Sequence, residues 1–182
     1  EFLYNYCYKL HEAFELTEKN VNEYLITQKY QTLHDKKNIQ FLFDFAHYNH
    51  KNMIPFQSDA YNFIVNFWPE MHYIAGAEQS KARLVFMLNT FIETAIVHRD
   101  HEMLETNYRI LLEYSIDEPP YFFMIDGRPT GVIMPKYLAW KRKLEFYERN
   151  NLFESYKNFS KHYIEIICDD VTELDNFAWK YA

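Results

Sequence analysis

An all-α fold is what the sequence predicts, and three observations predict it. Apolar residues recur every three or four positions through most of the chain, the spacing of a helix face. Only 3 Gly and 6 Pro occur among 182 residues, too few for the many tight turns of an all-β fold. Hydrophobic residues make up 48% and charged residues 25%, which excludes a disordered or fibrous chain. The expected architecture is a single helical, bundle-like domain spanning 1–182, with a short β-hairpin or extended insertion near 121–135.

The elements follow in order. Leu3, Cys7, Leu10 and Phe14 form one apolar stripe and predict a first helix. Asn20 with Glu23 resembles a capping box and opens a second helix through Val21, Tyr24 and Leu25. Asp35 can cap a third, carrying Ile39, Leu42 and Ala46, and a break over Lys51–Pro55 follows it. His47 and His50 sit in the polar tail of that helix and read as solvated. Ser58 caps the next, and Pro69 suits the first turn of a short piece.

From Ser80 to Arg99 the helical period is strongest, with Leu84, Val85, Leu88, Ile92, Ala95 and Ile96 on a wide apolar arc. Such a helix is expected at the centre of the fold. Asp100 caps its successor, which Pro119–Pro120 stops. Two apolar runs then flank Asp126-Gly127, a hairpin signal with a loop read as longer than two residues. Helices resume over Lys136–Arg149, from Asn151, and from Asp170, where Glu173 completes a second capping box.

A net charge of −7 argues against a dominant nucleic-acid or anionic-membrane surface. Cys7 and Cys168 have no metal-type spacing and are expected as reduced, buried thiols. No run approaches the length of a membrane span, so the expectation is a cytoplasmic protein. The chain opens at Glu1 without methionine, which leaves room for a tether through a preceding membrane segment.

Candidate chemistry is sparse. His11 and Glu15 lie four apart, as do His98 and Glu102, with His101 beside the latter; on continuous helices each pair would share a face and could hold a divalent metal. Asp100 as a helix cap would break the second pair, and the spacing favours surface residues over a metal centre. Nucleophilic triads, zinc frameworks, phosphate loops and dinucleotide fingerprints are absent, and no cofactor is expected. Lys136, Lys141, Arg142, Lys143 and Arg149 cluster among aromatics, a weak single-strand-binding pattern that Glu145 and Glu148 dilute, so nucleic acid is not expected as a partner. Aromatic residues make up 19% of the chain, including 16 Tyr and 16 Phe, more than a core of this size normally absorbs. Trp68, Trp140 and Trp179 are therefore candidate anchors for a protein partner or a second copy.

Asn89 and Glu93 stand one turn apart on the most apolar helix. If buried, they must bond to each other or to an arginine such as Arg83. The run Arg83-Leu-Val-Phe-Met-Leu-Asn89-Thr-Phe-Ile-Glu93, with Phe67-Trp-Pro-Glu-Met71 before it and an acidic helix start near Asp100 after it, resembles a group of poorly characterised bacterial helical domains. The resemblance implies a regulatory or effector module, often placed after one N-terminal membrane helix and sometimes linked to phage defence, and it names no catalytic residue. The leading expectation is a non-catalytic, self-associating interaction or regulatory module. The alternative is a helical metalloprotein using His11, Glu15, His98, His101 and Glu102.

Overall fold

The structure, a computed structural model, describes residues 1–115, 121–125, 128–133 and 135–181. Nine α-helices stand among them: α1 (Phe2–Glu12), α2 (Glu18–Ile26), α3 (Lys36–Phe45), α4 (Asp59–Phe67), α5 (His72–His98), α6 (His101–Ser115), α7 (Pro135–Arg149), α8 (Phe153–Ile167) and α9 (Val171–Tyr181). Short 3₁₀ turns cover Tyr30–His34 and Trp68–Met71. The fold is all-α with a short hairpin within 121–133, as the sequence predicts, and it carries a second small hairpin as well. Proposed helix stops at Pro119–Pro120 lie outside the described residues.

The caps explain where helices begin. Ser58 accepts a hydrogen bond from Tyr61 N, Asp100 from Met103 N, and Asp170 from Glu173 N. At α2 the box lies three residues before the expected place. Thr17 is the N-cap, and its backbone N donates to Asn20 Oδ1 at 3.1 Å. In α5, Gly76 leaves the helical conformation at φ +81°, a value that L side chains rarely adopt, so the regular helix starts beyond it.

Three helices close without glycine. Phe14, Arg99 and Asn151 take left-handed φ values of 58°, 59° and 57°. In each case the next residue reaches back across the turn: Glu15 N to Leu10 O, Asp100 N to Ala95 O, and Leu152 N to Tyr147 O. These are Schellman closures, normally a glycine position. Asn151 therefore ends α7 rather than opening α8, whose N-cap is Leu152.

Two antiparallel hairpins interrupt the helices. The expected one pairs β3 (Tyr121–Ile125) with β4 (Arg128–Ile133). Its register sets Ile125 opposite Arg128, leaving two positions between the strands rather than a longer loop; those positions, Asp126 and Gly127, lie outside the described residues. The other was not legible as a strand pair. Here β1 (His47–Tyr48) pairs with β2 (Lys51–Asn52) across Asn49 and His50, both with positive φ. Positive φ at both central residues marks the I′ turn that matches strand twist.

The main core gathers around α5, where Leu84, Leu88 and Ile92 meet Phe41, Phe63 and Leu104 from α3, α4 and α6. A second, smaller cluster of Tyr137, Leu144, Tyr163 and Ile167 lies between α7 and α8. Phe159 packs against both. Among the described residues no helix is long and apolar enough to cross a membrane.

Candidate functional site

Asn89 and Glu93 do meet on α5, with Asn89 Nδ2 donating to Glu93 Oε1 at 3.0 Å. Their arginine is Arg142 of α7, not Arg83. Arg142 Nε donates to Asn89 Oδ1 at 2.8 Å, its Nη2 donates to Glu93, and its Nη1 donates to Glu145 Oε2 at 2.7 Å. Arg149 adds a 2.8 Å ion pair to Glu145. Glu93 is exposed, so this is a surface clasp between α5 and α7 rather than a buried network. Arg83 faces the other way. Its Nη1 donates to the His47 carbonyl at 3.0 Å, and its guanidinium lies over the Phe43 ring. Periodicity could not separate these arginines, because the choice depends on which helix covers which side of α5.

Both histidine–carboxylate pairs straddle a helix end. His11 lies on α1, but the Schellman turn at Phe14 carries Glu15 off the helix. His98 ends α5 and Glu102 belongs to α6, across the left-handed Arg99. The shared-face premise therefore fails at both places. The His11 ring packs on Phe45 and Tyr48, His101 on Phe146, and Glu102 accepts from Gln57 Nε2 at 2.9 Å. Among the described residues no three His, Cys, Asp or Glu side chains gather as a metal cluster.

The cationic run on α7 is matched by carboxylates. Lys141 pairs with Glu173 at 2.7 Å, Lys143 with Glu105 at 2.9 Å, and Arg142 and Arg149 share Glu145. Lys143 is also held over the Tyr108 ring, 4.2 Å from its centroid. The Lys136 side chain lies outside the described residues.

The C-terminal helices carry the features that spacing alone did not rank. Glu173 looked like half of a capping box, yet its carboxylate turns inward and is only 9% exposed. It accepts from Lys141 Nζ at 2.7 Å and from Tyr163 OH at 3.2 Å, while Tyr137 OH donates to Asp170 Oδ2 at 2.9 Å. Burial and these carboxylates push both phenols up, Tyr137 to about 12. A cavity of about 380 Å³ adjoins this seam, floored by Leu144 and Phe177. Lys141, Tyr163 and Glu173 satisfy one another, an arrangement suited to locking α9 in place.

With Glu173 and Phe177 facing inward, α9 turns Val171, Leu174, Ala178 and Trp179 outward, with Asp175 exposed among them. Val171 is 79% and Trp179 78% exposed. The other tryptophans are engaged: Trp140 stacks on Phe159 at 4.9 Å, and Trp68 packs against His72 and Tyr114. Cys168 is exposed rather than buried, while Cys7 is fully buried. No family model, curated protein or solved structure matches this chain.

Proposed function

We propose that this chain is a non-catalytic interaction module that pairs with a second copy of itself through α9. The observation that carries the reading is the outward stripe of Val171, Leu174, Ala178 and Trp179 on a helix whose inner face is already locked. Large exposed aromatic and aliphatic side chains grouped on one face mark association surfaces, and tryptophan is a frequent anchor. Self-pairing suits a single exposed patch on one helix. A two-fold contact buries Val171, Leu174 and Trp179 of both copies at once, and Asp175, exposed between Val171 and Trp179, is the charge such a seam must place at its rim. The bacterial helical domains that the central segment resembles support a regulatory or effector role for such a pair, in a conflict system.

Sedimentation velocity or mass photometry tests this directly. A dimer at micromolar concentration is expected, and Trp179→Ala with Leu174→Asp converts it to a folded monomer. A wild-type chain that stays strictly monomeric, or a dimer indifferent to those substitutions, refutes the reading.

A further inference from the structure

The hairpin β1–β2 folds against α5 and leaves a cavity of about 430 Å³ beside it, lined by His47, His50, Gln79, Arg83 and Phe86, with Asn49 at its rim. Among the described residues no acidic side chain lines it. In a chain of net charge −7 that is an unusual local balance. Arg83 is only partly exposed, forms no ion pair among the described residues, and spends one N–H on the His47 carbonyl. Elsewhere on α5 and α7 the pattern is opposite, since Arg142 is held by two carboxylates.

His47 is fixed in a defined state. Thr90 donates its single hydroxyl proton to Phe86 O at 3.0 Å, so its oxygen accepts from His47 Nε2–H at 3.1 Å. That leaves Nδ1 of the neutral ring without a protein partner among the described residues. Burial, Arg83 and His50 push the imidazole down to about 4, so the ring is neutral at pH 7. Among the described residues, the charged and titratable groups lining the cavity are Arg83 from α5 and the two histidines of the hairpin. Phe86 lies nearly parallel to the His47 ring and, with Ala82, supplies an apolar wall.

We propose that this cavity binds a small organic oxyanion, a phosphate monoester or carboxylate bearing a flat apolar group. Arg83 and His50 hold the charged end, Gln79 offers an amide, and the flat part lies against Phe86. An arginine without a carboxylate partner is suited to forked recognition of such oxygens. The volume falls in the range of small-ligand pockets. This site is independent of the α9 face and stands whether or not the chain dimerises.

Imidazole NMR on the full chain tests it, with phenyl phosphate, benzoate and inorganic phosphate as probes. Saturable shifts of the His47 and His50 resonances are expected, with phenyl phosphate about fivefold tighter than inorganic phosphate because of the Phe86 wall. Comparison with benzoate tells a phosphate ester from a carboxylate. Arg83→Met, which keeps the stem over Phe43, is expected to weaken binding about tenfold. His50→Asn tolerates the left-handed backbone and is expected to cost about threefold, so it decides the matter if Arg83→Met fails to fold. Absence of saturable shifts, or wild-type affinity in His50→Asn, overturns the proposal.

Discussion

Around α5 the fold is held by shape: Phe41, Phe63, Leu88 and Ile92 are almost wholly removed from water and touch neighbours on several helices. At the C-terminal end only four of the described residues, Tyr137, Leu144, Tyr163 and Ile167, form the buried cluster between α7 and α8, and α9 is attached to it by Phe177 and by polar bonds from Asp170 and Glu173. The difference teaches where cooperativity should end. Apolar packing is cumulative and unspecific in direction, whereas a seam of a few charge-assisted bonds holds or fails as a unit. The C-terminal pair should therefore open at lower free energy than the body that carries it.

The largest expected effect lies in the main core. Leu88→Ala removes a fully buried side chain at the middle of α5 and should cost about 2–5 kcal/mol, lowering the urea midpoint for every probe at once. Ile167→Ala, in the smaller cluster, should cost about 2–3 kcal/mol at most in local stability. Hydrogen exchange is the measurement: α9 amides should lose protection while α5 amides keep theirs. Equal loss in both would show one cooperative unit and end the comparison.

The smallest effect is one of pH. The folded Tyr137 phenol is raised to about 12 from the ordinary 10.0, so its contribution to stability is complete below pH 10 and disappears as pH rises through 12. Tyr163 is raised in the same direction. Ionised, both phenols would face carboxylates and repel them. α9 should thus loosen across that window, and Tyr137→Phe should make the alkaline loss of α9 protection shallower. An unchanged profile would mean that the Asp170 bond contributes nothing to docking.

Most of the helical frame is legible in the sequence because caps and apolar spacing are local properties. Ser58, Asp100 and Asp170 cap where their neighbours in sequence suggest, and the breadth of the apolar arc on α5 matches its central place. What escapes is what depends on reversal of the chain without glycine. The His11–Glu15 and His98–Glu102 spacings look helical until Phe14 and Arg99 turn left-handed between their members. Likewise the Asn49–His50 turn carries no glycine, so His47 reads as a solvated tail residue although it lies partly buried against Thr90 and Phe86. Partner choice is equally non-local: nothing in the spacing assigns Arg142, rather than Arg83, to Asn89 and Glu93.

Those glycine-free reversals have a further consequence for how the sequence can change. A non-glycine residue in the left-handed region carries a steric cost of roughly 1–2 kcal/mol, less for asparagine. Phe14 and Arg99 carry it with side chains exposed to solvent. Adaptation to higher temperature thus has an open route at the helix ends, where glycine or asparagine would relieve the backbone and leave the packed interior untouched.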